Sequence, residues 1–372
     1  MRRVTKKLLI LFGGLILIGF YCEFLIYYVV IIQCGWPSIE TKHSGNEVIK
    51  AFILADTHLL GPYRGHWLDK WRREWQMHQA FQAVITLHKP DVVFILGDLF
   101  DEGEWTDNKQ FKNYVSRFYE LFSLPSSIKM YVVVGNHDIG FHHRIRRGFA
   151  QRFSKLLKAP SVQHIEIKNN HFVLLNSMAL EGDSCNLCTE ARKQIENVSD
   201  KLLKCSKNST HCFNSEGSFN YSQPILMQHF PLYRVSDAVC TEPDAPPLPE
   251  RNKLFRLKID ALSLQATKYL INKIRPRVAF GGHTHHGCLI EHYYEEIAGT
   301  RFLEYSVPSF SWRNRPDPKY ILASIAPDSY EVKKCGLPRE TTIALTAVIM
   351  ICILICFVLR TRLIGRALIR MN

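Results

Sequence analysis

Seven residues able to offer oxygen or imidazole nitrogen to a divalent cation follow short apolar runs along this chain. Leu54-Ala55 leads into Asp56-Thr57-His58, and Phe94-Ile95-Leu96 into Gly97-Asp98. Val132-Val133-Val134 leads into Gly135-Asn136-His137-Asp138, Ile225–Gln228 into His229, and Ala279-Phe280 into Gly281-Gly282-His283-Thr284-His285. Two cations about 3.5–4 Å apart need a bridging anion with neutral or anionic donors around it. Asp98 suits the bridge, because one carboxylate offers an oxygen to each ion. Asp56, His58 and His285 would complete one site; Asn136, His229 and His283 would complete the other. A donor set without thiolate fits Mn²⁺, Fe²⁺ or Zn²⁺ in an exchangeable catalytic site better than a closed structural zinc site. Gly97, Gly135 and Gly282 leave room for the backbone to turn beside the ions.

These residues need elements that bring them to one place. Val48–Leu54, Asp91–Leu96 and Met130–Val134 read as buried strands, separated by helical patterns over Trp67–Leu87 and Phe111–Phe122. That alternation predicts an α/β layer fold. Further strands are expected near His164–Ile167, Phe172–Leu175, Ile225–Gln228 and Val278–Phe280, then at Leu289–Tyr294, Phe302–Tyr305 and Ile321–Ile325. In open α/β sheets, ligands sit beyond the carboxyl ends of the strands, where all five motifs fall. Trp71 and Trp75 read as core packing. Residues 177–222 are polar and read as an exposed insertion, and the Pro-rich stretch 241–250 as a rim or lid.

Taken in order, the motifs resemble the calcineurin-like metallophosphoesterase superfamily: D-x-H, G-D-x-x-(D/E), G-N-H-(D/E), a lone His and G-H-x-H. The resemblance spans about residues 48–325. It implies a four-layer αββα sandwich, two bound metals and hydrolysis at phosphorus. It also implies that His137 protonates the departing oxygen or stabilises the transition state, with Asp138 orienting it. His229 has the weakest local context of the set. His142, His143 and His286 adjoin motifs and read as rim residues. Phosphoprotein phosphatases of the superfamily hold a dianionic monoester with arginines near the second and third motifs. This chain has Asp101-Glu102 and Val133-Val134 there, which favours a monoanionic diester.

Leu8–Ile32 carries one charge, Glu23, and Thr341–Leu359 carries none, so both runs are long enough to span a bilayer. The first is too long for the apolar part of a cleaved signal. Basic residues sit outside both: Arg2, Arg3, Lys6 and Lys7 before, and Arg360, Arg362, Arg366 and Arg370 after. They account for most of the formal charge of +13, and their placement is a topology signal rather than a nucleic-acid footprint. The expected layout is a cytosolic tail 1–7, a span 8–32, a lumenal domain 33–340, a span 341–359 and a cytosolic basic tail 360–372. Sequons at Asn197, Asn208 and Asn220, among Cys185, Cys188, Cys205, Cys212 and Cys240, fit a glycosylating, oxidising lumen.

A lumenal site between two spans resembles the membrane-anchored members of the superfamily that trim glycosylphosphatidylinositol (GPI) anchors. That resemblance implies Mn²⁺ as the cofactor and GPI-anchored proteins as substrates. The reaction implied is removal of an ethanolamine phosphate from a mannose of the glycan. It further implies residence at ER exit sites, the ER–Golgi intermediate compartment and the cis-Golgi, and contact with cargo-exit machinery. A diesterase for nucleotides or lipids, and a glycan-binding cargo receptor, are the rival readings.

Overall fold

The computed structural model describes residues 2–42, 47–181, 185–207 and 221–370. Eleven strands among them form two sheets. The first holds β1 (Ile49–Leu54), β2 (Val92–Leu96) and β3 (Lys129–Val133), parallel to one another, with β10 (Lys319–Ile325) and β11 (Tyr330–Gly336) added antiparallel beyond β1. The second holds β4 (Val162–Ile167), β5 (Asn170–Leu175), β6 (Ile225–Met227), β7 (Val278–Gly281), β8 (Cys288–Tyr294) and β9 (Thr300–Ser306). Its order is β4-β5-β6-β7-β9-β8, with β5, β6, β7 and β9 parallel.

The sheets pack face to face through Ile53, Phe94, Phe172, Phe280 and Ile321. Alternate residues of the same strands point outward under helices, which is why these strands read as continuous apolar runs. Over the first sheet lie α3 (Trp67–His88) and α4 (Asn108–Leu121), the crossovers of a parallel β1-α3-β2-α4-β3 unit. Phe52 of β1 meets Phe81 of α3 at 5.6 Å between ring centroids. Helix α3 starts at His66, whose side chain accepts from Leu68 N–H, and stops at left-handed Lys89 before Pro90. Short α5 (Asn136–Ile139) and α6 (Arg147–Leu157) follow β3. Over the second sheet lie α7 (Asn186–Lys207) and α9 (Leu264–Ile274). The result is the four-layer αββα sandwich.

Helix α7 departs from the expectation of an exposed insertion at 177–222. Its Cys188, Ala191, Ile195, Val198 and Leu202 are buried, and Ser199 donates to Lys273 O at 2.8 Å. Asn197 lies on its exposed side, whereas Asn208, Asn220 and Cys212 fall outside the described residues. The Pro-rich stretch is pinned rather than free. Cys240 is disulfide-bonded to Cys288, Lys334 bonds both Glu242 and Asp244, and a single turn, α8 (Leu248–Arg251), closes it.

At the ends of the chain, α1 (Arg2–Phe20) continues through a π-helical turn (Tyr21–Leu25) into α2 (Ile26–Ile31), and α10 (Glu340–Arg370) closes the chain. Val4–Ile31 and Glu340–Arg360 are long and apolar enough to cross a membrane. They lie side by side, with Lys7 Nζ 3.2 Å from Val358 O and Leu354 against Gly14. A Cys34–Cys335 disulfide joins the segment after α2 to β11. Trp71, expected in the core, is exposed; Trp75 instead packs edge-on to Phe24 at 5.1 Å and donates to Glu23.

Candidate metal centre

The structure brings all seven candidate ligands to one crevice at the carboxyl ends of β1, β2, β3, β6 and β7. Asp56, His58, Asp98 and His285 present donor atoms within 4.8 Å of one another, and so do Asp98, His229 and His283. Asp98 Oδ2 stands between the groups, 3.5 Å from His58 Nε2 and 3.3 Å from His229 Nε2. Asn136 Oδ1 lies 3.2 Å from His229 Nε2. This is the division read from the motifs, with Asp98 common to both halves.

The backbone is strained to achieve it. Asp56, His58, Asp98, His283 and His285 all have positive φ, between 44° and 71°. For non-glycine residues that conformation costs about 1–2 kcal/mol each, and such strain concentrates at functional sites. Gly97 sits at φ 85°, with the His229 ring where a side chain would go. A Cβ on Gly135 would strike the Asp98 carboxylate.

Hydrogen bonding assigns the imidazole nitrogens. His229 Nδ1–H donates to Leu96 O at 2.8 Å, and His283 Nε2–H donates to Ile259 O at 2.8 Å. His58 Nδ1–H donates to the Asp101 carboxylate at 3.2 Å. Each ring therefore turns its other nitrogen inward, the arrangement that orients metal-binding histidines. His58 Nε2 then faces His285 Nε2 at 3.1 Å, and His229 Nε2 faces the oxygens of Asp98 and Asn136. Positive charge must sit among these lone pairs. Burial opposes a proton on His229, but the Asp98 carboxylate outweighs it and pushes the imidazole up to about 9. Burial raises Asp56 to about 8, and neighbouring Asp98 adds to the effect. Burial drives His283 down to about 3, helped by His229, and lowers His285 as well, leaving both neutral. A buried cluster with two carboxyl groups, an amide oxygen and inward imidazole nitrogens, those of His283 and His285 held neutral by burial, fits a pair of divalent cations whose charge would replace the proton on His229.

His137 stands at the open side with its ring 4.8 Å from that of His58 and its side chain 31% exposed. Its Nδ1–H donates to Asp101 O at 3.1 Å, leaving Nε2 for the crevice. Here the sequence expectation is corrected: Asp138 does not hydrogen-bond the His137 ring. Its buried carboxylate accepts N–H bonds from Gly135 at 2.8 Å, Leu99 at 3.0 Å and Phe100 at 3.1 Å. It clamps the Gly97-Asp98 loop to the Gly135-Asn136 loop because both have backbone donors left over where their strands end.

Sequence reasoning missed the loop 307–318. Arg313 Nη1 lies 3.3 Å from Asp101 Oδ2, Asn314 Nδ2 donates to Asp56 O at 3.2 Å, and Arg315 Nη1 donates to His285 O at 2.9 Å. No spacing rule links these residues to the motifs. Arg313 brings a guanidinium to a site expected to have none, but engages it with Asp101. Among the rim histidines, His142 donates to Met178 O, and Met178 is next to Ser177, whose hydroxyl receives the N–H groups of His229 and Phe230.

The profile of calcineurin-like phosphoesterases matches residues 49–287. Metallophosphoesterase 1 of Xenopus laevis is 43% identical over 371 residues, covering 93% of this chain and 89% of its own. The Drosophila melanogaster homolog of metallophosphoesterase 1 is 46% identical over 345 residues, covering 91% of this chain and 90% of its own. The Gallus gallus protein of that name is 46% identical over 333 residues, covering 87% and 82%.

Proposed function

The chain belongs to the calcineurin-like phosphoesterase family, a metal-dependent phosphoester hydrolase, and from that premise we propose a two-metal phosphodiesterase acting on the GPI glycan. Asp56, His58 and His285 would hold one cation, and Asn136, His229 and His283 the other, with Asp98 shared. When bound, such a pair supplies positive charge to phosphoryl oxygens and makes water more acidic. Mn²⁺ is the ion proposed; the oxygen and imidazole donors also accommodate Zn²⁺ and Fe²⁺. The observation that carries the reading is the turning of His58, His229 and His285 nitrogens onto Asp98 and Asp56, where only a cation or a proton can sit.

The protein's own residues do the rest. His137, held at Nδ1 by Asp101 O, keeps a proton on Nε2 for the oxygen that leaves phosphorus. Asp101 fixes the His58 tautomer and engages Arg313, so this guanidinium is not left over for a second phosphoryl charge. That supports a diester over a dianionic monoester. An open groove of about 710 Å³ on the α5–α6 side, lined by Glu104, Trp105, His143, Arg144 and Arg146, offers charges of both signs to a zwitterionic ethanolamine phosphate on a glycan.

Membrane attachment and compartment support the substrate. Two apolar helices with their basic ends together fit two spans with both termini in the cytosol. The Cys34–Cys335, Cys185–Cys188 and Cys240–Cys288 disulfides fit a lumenal domain. Residence between ER exit sites and the cis-Golgi, GPI-anchored proteins as substrates and contacts with cargo machinery belong to the same proposal. Cells lacking the protein, rescued with wild type or Asp98→Asn, test it by mass spectrometry of the anchor glycan. An extra ethanolamine phosphate should persist except with wild type. Identical anchors in every line would send the search to nucleotide or lipid diesters.

A further inference from the structure

Counting from Leu8, just after Lys6 and Lys7, sixteen residues of helix at about 1.5 Å each reach Glu23, about 24 Å and most of the hydrocarbon core. Beyond it one face of the helix, Ile26, Tyr27 and Ile31, is buried in the folded domain while Leu25, Val29 and Ile32 stay exposed; before it, Leu8, Leu9, Phe12 and Leu17 are exposed. Glu23 therefore marks where the first helix leaves the bilayer, and Glu340 is the first residue of the second. Helix α3 holds both: Arg72 and Trp75 bond Glu23, and Arg73 and Gln76 bond Glu340.

Further along, the His88 imidazole bonds the backbone of Ile31, so α3 runs in the same sense as α2, away from the membrane. Its first two turns must then point back towards the bilayer, past Glu23. Those turns carry Trp67 (70% exposed), Leu68 (50%) and Trp71 (59%), with Tyr63 (76%) on the preceding loop. Trp67, Leu68, Trp71 and Trp75 fall on one side of the helix by its 3.6-residue period. An exposed aromatic set at the level of a span's end is what the headgroup layer takes up.

We infer that Tyr63, Trp67, Leu68 and Trp71 form a foot seated in the bilayer interface, which holds the catalytic edge of the sandwich against the lumenal membrane surface. Helix α3 begins on the edge where β1 presents Asp56 and His58, only nine residues after His58. Trp312, next to Arg313, meets Tyr27 at 6.2 Å between rings and donates to Pro338 O at 2.7 Å. The crevice thus opens at headgroup level, where a phosphodiester on a lipid-anchored glycan lies. The foot rests on both helices spanning the membrane, a reading that alkaline carbonate extraction checks separately.

The full chain in nanodiscs containing lipids brominated near the top of the acyl chain provides the test. Tryptophan emission should be quenched, and Trp67→Phe and Trp71→Phe should each remove part of the quenchable emission. Trp36→Phe, in the segment after α2 with its indole donating to His88 O at the far end of α3, should leave that component in place. Trp67→Ala with Trp71→Ala should keep turnover of a soluble chromogenic diester and lose turnover of a bilayer-embedded one. If emission from Trp67 and Trp71 is insensitive to bromine, the face meets water or a protein, and the inference is overturned.

Discussion

Replacing Asp138 with alanine removes one buried carboxylate that receives three backbone N–H bonds, from Gly135, Leu99 and Phe100. Each buried donor left unpaired costs about 1–3 kcal/mol, so with partial relaxation the total is about 4 kcal/mol. That is a large share of the roughly 5–15 kcal/mol that holds a domain together. The damage is local as well as global, because the two loops released carry Asp98 and Asn136. Asp138→Asn should cost less, since one amide oxygen remains an acceptor. The assay is thermal unfolding of the full chain in detergent, with metal content measured on the same samples. Asp138→Ala should melt well below wild type and retain less metal, with Asp138→Asn between them. A variant with wild-type melting and metal content but no turnover would refute this reasoning and restore a direct catalytic role.

Asp101→Ala removes the acceptor that fixes the His58 tautomer, so metal affinity should fall about 10–100-fold in a competition titration; unchanged affinity would count against that role. His137→Ala should lower kcat by about 10²–10⁴ on a diester with an alkoxide leaving group. The loss should be much smaller with a nitrophenolate, which needs no proton, and equal losses would point to structural damage. Asp244 is paired with Lys334 at 2.7 Å and Lys319 at 3.3 Å; burial raises its carboxyl, but these ammonium groups outweigh it and hold it below the ordinary range. Its folded value is depressed, so its contribution is complete above about 3.9, the unfolded value, and is lost as pH falls through the lower folded one. Asp244→Asn should therefore lower melting at neutral pH and flatten its decline in acid; parallel melting curves would contradict the assignment.

The strands were legible because both sheet faces are covered, so Val92–Leu96 or Val278–Phe280 could hardly be anything else. The ligand set was legible because each member follows a strand end, and strand ends of a parallel unit converge. Helix α7 carries its own stripe, from Cys188 through Ala191, Ile195 and Val198 to Leu202, at helical spacing. The sequon at Asn197 and the lysines Lys193 and Lys201 between those residues made the segment look solvated. Asp138 was misread because adjacency in Asn136-His137-Asp138 says nothing about which way a carboxylate turns at a helix start. Trp71 was misread because a helical aromatic pattern does not distinguish a core from a bilayer. Arg313 and the Cys34–Cys335 and Cys240–Cys288 pairings depend on contacts between distant parts of the chain, which no local pattern encodes.

The most direct test of the account is metal stoichiometry and diester turnover measured together on purified full-length protein, wild type and Asp98→Asn. The prediction is two equivalents of divalent metal in wild type, turnover that a chelator abolishes and Mn²⁺ restores, and loss of both metal and turnover in the variant. Turnover that survives complete metal removal, or an Asp98→Asn protein that keeps both ions and full activity, would contradict it.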